Sequence, residues 1–324
     1  MHTDLTQRQV EITTSARLHM GFFDLNGSLD RRYGSMGISL NAPQTRILVS
    51  VGDADAVPDY IERSKRALLQ HFGIQASINI QILEEIPRHT GLGSGTQMAL
   101  ALGVAIRELF DLKLSLREIA QCIGRGARSG IGVGTFAGGG VVIDGGVNVS
   151  KQVPPIIAQH AFPEAWRILL IFDHQYVGVH GPAETQAFKV LSDNSLVSTQ
   201  QLSHQVLMQG LPALVEQNLA AFGQVVSALQ AYNGDYFAPV QGGRYASRLV
   251  SQVLNDLNAH GIQSVGQSSW GPTGFAIFAD QATAESHMKR LQSAFPHAQL
   301  GWQLCSANNE GARIIIRNKG ELAG

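Results

Sequence analysis

Cysteine is almost absent from this chain. Cys122 and Cys305 are the only two in 324 residues. Each sits in an apolar context without a second cysteine or a metal-spaced histidine nearby, which excludes a disulfide framework or a zinc finger and fits buried thiols in a reducing compartment. An excess of charge of one sign is also missing, because 24 Lys plus Arg face 25 Asp plus Glu. Without a basic field to attract a polyanion, nucleic acid and anionic lipid are not expected partners. No apolar run reaches the roughly 18 residues a membrane span needs, and the N-terminal stretch MHTDLTQRQV has no secretory apolar core. These absences predict a cytoplasmic protein. At 44% hydrophobic and 15% charged residues, the chain has the material for one large core or two medium ones.

Glycine is what the sequence has in quantity, and it is clustered. The segment Glu85–Phe110, EIPRHTGLGSGTQMALALGVAIRELF, sets Gly91, Gly93 and Gly95 beside the hydroxyls of Ser94 and Thr96 and then continues as an apolar helix. A glycine loop feeding a helix N-terminus offers backbone N–H groups and the positive end of the helix dipole, the arrangement that suits phosphate or pyrophosphate. It is neither of two familiar phosphate motifs. No Gly-Lys-Ser/Thr follows, and Thr96 stands where a dinucleotide fingerprint needs its last glycine. A plain glycine turn before a helix is the alternative. The second cluster, Gly124–Gly146, carries Arg125 and Arg128 as its only charges before Asp144, and arginine suits bidentate contact with phosphate or carboxylate. A flexible glycine loop ahead of a strand at 140–143 accounts for the glycines, less well for both arginines. The third cluster is GQSSWGPTGFAIF, from Gly266.

In chain order, strands are predicted at 10–18, 35–40, 45–51 and 74–83, with an amphipathic helix at 59–71. In and just before the loop between the first two, GFFDLNGSLDRRYG, Arg17, His19, Asp24, Arg31 and Arg32 fall within sixteen positions. A solvated hairpin with surface ion pairs is the bland reading. Ser115-Leu116-Arg117-Glu118 has the form of a capping box opening a helix at 116–123. A buried strand at 167–172 precedes His180 and Glu184, four residues apart, with Gly181 and Pro182 opening a helix. Residues 195–260 read as mostly helical and carry no obvious chemistry. The remainder alternates: 264–266, a helix at 282–295, and strands at 299–304 and 313–316. The proline-bearing stretch 149–164 is the best boundary between two parts, 1–155 and 156–324, of an α+β chain.

Pro87-Arg88-His89-Thr90-Gly91-Leu92-Gly93-Ser94-Gly95 resembles the phosphate loop, here 87–97, of the GHMP kinase superfamily, and 266–275 resembles its third glycine motif. Four segments together are more similar to one branch, the β-ribofuranosylaminobenzene 5′-phosphate synthases: ARLHMGFFDLNG with RRYGSMGISL, HTGLGSGTQMALALG, RGARSGIGVGTFAGGGVVIDGG, and SSWGPTGFAIF. They span positions 16–278. The resemblance implies a ribosomal-protein-S5-like N-terminal half, a ferredoxin-like C-terminal half and a homodimer. Departures from the kinases point the same way. The segment 126–140, where those enzymes usually carry a catalytic Asp, has no carboxylate, and Gly95 stands where their second loop serine helps hold magnesium. Phosphoryl transfer depends on that positioning and charge neutralisation.

What the resemblance implies is condensation of phosphoribosyl pyrophosphate with 4-aminobenzoate or 4-hydroxybenzoate, releasing carbon dioxide and pyrophosphate, on the way to a methanopterin-type carrier. On that reading Gly91, Gly93, Ser94, Gly95 and Thr96, with Mg2+, meet the pyrophosphate, and Arg88 is a further substrate- or phosphate-binding residue. Asp24 stabilises the cationic ribose carbon, ligates magnesium or accepts a proton. Arg31 or Arg17 holds the benzoate carboxylate, Arg125 and Arg128 hold the 5′-phosphate, and Glu184 lies in the substrate site. His19 and His180 are the proton-transfer candidates. A small-molecule kinase and a non-catalytic metabolite sensor on the same fold are the alternatives.

Overall fold

A computed structural model describes residues 8–53, 55–150, 152–178, 181–191 and 196–318. The chain opens with β1 (Arg8–Phe22), the two-residue β2 (Arg31–Arg32) and β3 (Ser35–Val51). The strands expected at 35–40 and 45–51 are thus one strand, which follows β1 across two register shifts, at Ser15/Arg17 and His19/Gly21. Next come α1 (Asp59–His71), β4 (Ile78–Glu84), α2 (Ser94–Leu109) and α3 (Leu116–Cys122). The predicted capping box is present at α3, where Ser115 Oγ accepts the Glu118 N–H at 3.2 Å and Glu118 Oε2 accepts the Ser115 N–H at 2.7 Å.

The second glycine cluster holds a helix that glycine content conceals, α4 (Ile131–Gly138). Its own propensity is poor, but Ile131, Val133 and Phe136 are buried and tertiary packing supplies what propensity does not. Beyond it lie β5 (Val141–Asp144), β6 (Val147–Asn148), β7 (Ile156–His160) and β8 (Arg167–Asp173). A helical stretch follows as α5 (Gly181–Val190), α6 (Leu196–Gln205), a π-helical turn at Val206–Gly210, α7 (Leu211–Val215), α8 (Leu219–Gln241) and α9 (Arg248–Ala259). The chain closes with β9 (Val265–Gln267), β10 (Gly274–Phe278), α10 (Gln281–Ala294), β11 (Leu300–Cys305) and β12 (Arg313–Asn318).

Two main antiparallel sheets result. The first runs β12-β1-β3-β5-β7 with β4 attached to β3, and the second runs β11-β8-β10-β9. The order of the second, with helices between β8 and β9 and between β10 and β11, is the ferredoxin-like arrangement. The two parts interleave across the expected division at 155/156, since β7 pairs with β5 and β12 with β1. One core cluster joins Leu18, Met20 and Met36 to Phe162, Trp166, Phe222 and Phe275, while a second lies under α1, α2 and α3. No helix among the described residues is long and apolar enough to cross a membrane.

Candidate active site

The loop between β4 and α2 is anchored at its start by Thr45 Oγ1, which accepts the Ile86 N–H at 3.2 Å. Its backbone then turns repeatedly into the left-handed region, at His89 (φ 60°), Gly91 (φ 82°) and Gly93 (φ 82°). A Cβ at Gly91 would lie 2.4 Å from the Ser268 carbonyl oxygen, so only glycine fits there. Every carbonyl from His89 to Gly93 is engaged by the protein. His89 O accepts from Gly178 N (3.3 Å), Thr90 O from Thr273 N (3.4 Å), Leu92 O from Arg17 N (3.0 Å) and Gly93 O from Thr96 N and Gln97 N (both 3.0 Å). Gly91 O takes two donors, Arg17 Nη1 at 2.5 Å and Ser268 Oγ at 2.8 Å.

With the carbonyls drawn into the protein, the N–H groups of Thr90, Gly91, Leu92, Gly93, Ser94 and Gly95 meet no protein acceptor among the described residues. Those of Ser94 and Gly95 open α2, whose N-cap Gly93 supplies no side-chain cap. A run of free donors at a helix N-terminus, in a glycine loop, is an anion cradle.

The cradle opens into a cleft of about 390 Å³ lined by Tyr60, Arg63, Arg88, Arg125, Glu184 and Trp270 together with the loop itself. The arginines divide into two groups. Arg17 is spent on Gly91 O, and burial lowers it to about 10, partly offset by Glu184, so it stays a cation near neutrality. Arg128 pairs with Glu184 at 2.6 Å and lies 4.5 Å over the Phe188 ring. Arg31 donates Nε to Gly145 O at 2.8 Å and Nη2 to Gly146 O at 2.9 Å, so its fork fastens the β2–β6 corner. Arg63, Arg88 and Arg125, by contrast, donate to no protein acceptor among the described residues. Arg125 Nη2 lies 3.5 Å from where a Gly95 Cβ would be, and burial lowers its pKa while Glu184 raises it. Arg88 Cζ lies over the Tyr60 ring, 3.8 Å from its centroid, and the Tyr60 hydroxyl donates to Glu85 Oε1 at 2.5 Å.

These placements revise several sequence-based assignments. Arg17 and Arg31, expected to hold a carboxylate, are committed to backbone carbonyls. Arg128 and Glu184, expected to bind substrate, neutralise each other at the cleft wall. His19, expected to titrate near neutrality, is 5% exposed. Burial, then the Arg17 charge, depresses it to about 3, so it is a neutral imidazole at working pH. Its Nε2 meets no hydrogen-bond partner among the described residues. Asp24 is not among the residues lining the cleft; its Oδ1 accepts the N–H groups of Asn26 and Gly27, both at 3.0 Å, as an Asx turn. The Asp24 loop reaches the cleft wall through Tyr33, whose ring is 5.5 Å from Phe188 of α5, the helix that carries Glu184. His180 lies outside the described residues.

Other functional candidates escaped the sequence reading. Ser268 is wholly buried and links the parts of the chain, accepting the His19 N–H at 3.0 Å while donating to Gly91 O. The third glycine cluster marked its neighbourhood, but nothing singled out this serine. Tyr60 and Arg63 sit on α1, which read only as an amphipathic surface helix. Asp144 lies just beyond the segment where kinases carry their carboxylate, yet it does not take that place. It is wholly buried and accepts from Ser35 Oγ, Ser129 Oγ, Gly130 N and Gly146 N. Burial raises it to about 6 against the opposing effect of those bonds.

Comparison with known proteins agrees with this arrangement. Residues 59–140 match the GHMP kinases N terminal domain, and residues 211–297 match the GHMP kinases C terminal family. The solved mevalonate diphosphate decarboxylase of Staphylococcus aureus superposes with a TM-score of 0.66 at 14% identity, covering 95% of this chain and 98% of that one. Beta-ribofuranosylphenol 5'-phosphate synthase of Methanocaldococcus jannaschii is 34% identical over 82% of this chain and 88% of its own length. The protein of the same name from Archaeoglobus fulgidus is 32% identical over 95% of this chain and 100% of its own. The fold is thus that of the GHMP kinases, and within it the chain belongs to the enzyme family of the β-ribofuranosylphenol 5′-phosphate synthases.

Proposed function

We propose that this enzyme condenses phosphoribosyl pyrophosphate with a para-substituted benzoate, 4-hydroxybenzoate or 4-aminobenzoate, in the pathway to a methanopterin-type one-carbon carrier. The observation that carries the reading is the cradle of unengaged N–H groups from Thr90 to Gly95 with the unpaired guanidinium of Arg125 beside it. That donor set matches a pyrophosphate leaving group. The product named for the relatives is a phenol, which makes 4-hydroxybenzoate the first acceptor to test.

In the reaction the bond from ribose C1 to the pyrophosphate oxygen breaks, and a bond forms from C1 to the ring carbon bearing the carboxylate. The ring–carboxylate bond then breaks, its electron pair restores the aromatic ring, and carbon dioxide leaves. Charge develops on the departing pyrophosphate, where the N–H groups and Arg125 are already oriented. Asp24, off the cleft lining here, is assigned to the cationic carbon or the phenolic proton on a movement of its loop, which meets the cleft wall through Tyr33. His19, neutral and buried, orients rather than transfers a proton. Among the described residues no cluster of His, Cys, Asp and Glu forms a ready metal cage. If magnesium accompanies the substrate phosphates, the Ser94 hydroxyl and the Glu184 carboxylate, which also pairs with Arg128, are the cleft oxygens that would hold it. The ion would supply charge neutralisation to the leaving group.

A mass-resolved product assay tests the proposal. Protein, magnesium and phosphoribosyl pyrophosphate are offered each acid separately, beside an ATP-plus-sugar control. A ribosyl-arene phosphate with carbon dioxide is the expected result; no product with either acid, together with ATP consumption in the control, would return the chain to the kinases. Arg125→Gln is expected to lower kcat/KM by at least tenfold in the same assay.

A further inference from the structure

The phosphoribosyl donor has two anionic ends, and the cradle meets only one. Arg125 lies against Gly95, so it serves the end held by the cradle. Arg17, Arg31 and Arg128 are committed to carbonyls or to Glu184. The guanidiniums still unspent in the cleft are Arg88 and Arg63, both at its Tyr60 end.

Arg88 is exposed, but it is not a loose surface arginine. Its guanidinium stacks on the Tyr60 ring at 3.8 Å, and that ring is held in turn by the hydrogen bond of Tyr60 to Glu85. Stacking engages the face of the guanidinium and leaves its N–H edge, the part that grips phosphate, available. The bond to Tyr60 also turns the Glu85 carboxylate to the phenol side, where it supports the platform. We propose that Arg88, presented by the Tyr60–Glu85 platform and joined by Arg63, is the subsite for the ribose 5′-phosphate of the donor. This rests on the phosphoribosyl pyrophosphate reading above and moves the 5′-phosphate away from Arg125 and Arg128. Tyr60 is then a positioning residue, acting through Arg88.

The test compares two ligands by isothermal titration in magnesium: phosphoribosyl pyrophosphate, which has the 5′-phosphate, and pyrophosphate, which lacks it. Arg88→Gln is expected to weaken the first at least tenfold and the second less than twofold. Arg88→Lys, which keeps the charge but not the planar stack, should fall between. Tyr60→Ala should weaken the first ligand in the wild-type background and have no further effect when combined with Arg88→Gln, a dependence that a merely structural role would not show. Equal losses for both ligands, or no loss for either, would overturn the subsite while leaving the donor reading intact. Wild-type protein that binds pyrophosphate but gains nothing from the phosphoribosyl group would overturn both.

Discussion

His19 and Asp144 are buried titratable groups whose shifts oppose each other. His19 is depressed to about 3, so it folds neutral, and the unfolded chain takes up a proton that the native state refuses. Its contribution to stability is full above about pH 6.5 and is lost as pH falls toward 3, about 5 kcal/mol in all at about 1.4 kcal/mol per pH unit. Asp144 is raised to about 6, so the native state holds a proton longer than the unfolded chain does. Its contribution is full below about pH 4 and fades as pH rises through 6, about 3 kcal/mol on the same scale. Between pH 6 and 4 the two nearly cancel. Replacing His19 with Gln removes one of them. The stability of wild type relative to His19→Gln is therefore expected to fall by about 1.4 kcal/mol per pH unit on acidification through that window, read from denaturant unfolding at several pH values. An unchanged difference would mean that His19 is protonated in the fold. Asp144→Asn places an NH2 donor against one or more of the donors the carboxylate accepts, at a cost of about 2 kcal/mol. Because wild type weakens as pH rises, the gap between wild type and Asp144→Asn is expected to narrow from pH 4 to pH 7.

At the scale of the element, the phosphate loop works by facing its carbonyls inward. Gly91→Ala must place a methyl group 2.4 Å from Ser268 O and 2.9 Å from Gly271 O at a φ of 82°. It is expected to cost about 3 kcal/mol of stability and to abolish pyrophosphate binding. Ser268→Ala is milder, since Arg17 still holds Gly91 O. The buried His19 N–H loses its acceptor, for about 2 kcal/mol, and pyrophosphate affinity is expected to fall several-fold in titration calorimetry. The loop was legible in the sequence because Gly91, Gly93 and Ser94 advertise their conformations by residue type. The capping box at Ser115 and Glu118 was legible for the same reason: its partners are three residues apart. What was not legible is the partner at long range. Arg17 and Ser268 are separated from Gly91 by 74 and 177 positions. No local pattern distinguishes an arginine that binds a ligand from one that binds a carbonyl. The helix α4 was hidden for a related reason, as its glycines lower propensity while its burial depends on strands elsewhere in the chain.

At the scale of the molecule, sequence punctuation and structural partition differ. Pro154, Pro155 and Pro163 suggested a boundary, but the chain crosses it in both directions, with β7 joining β5 and β12 returning from the C-terminus to β1. The core follows the same course, packing Leu18, Met20 and Met36 of the first part against Ile168, Phe222 and Leu229 of the second. Helix α8, which appeared to carry no chemistry, fastens the end of β1. Asn233 accepts the Phe22 N–H and donates to Phe22 O, both at 2.8 Å, while Gln230 donates to Met20 O at 2.5 Å. The strand thus held leads directly into the Asp24 loop. A fragment of residues 1–155 would expose one face of this core, free both edges left by β7 and β12, and strip α8 from β1. Such a fragment keeps the cluster under α1, α2 and α3 but loses the partners of the shared one. It is expected to melt well below the full chain and over a broader range by circular dichroism, whereas the full chain melts in one step. A fragment that melts as sharply and at the same temperature as the full chain would mean that the shared core is dispensable and that the proline-rich stretch is a true domain boundary. Asn233→Ala probes the same coupling without truncation. It leaves two buried backbone groups of Phe22 unpaired, for about 3 kcal/mol, and should lower kcat more than it raises KM for the phosphoribosyl donor. The reason is that it loosens the Asp24 loop while leaving the anion cradle, held by Arg17 and Ser268, in place.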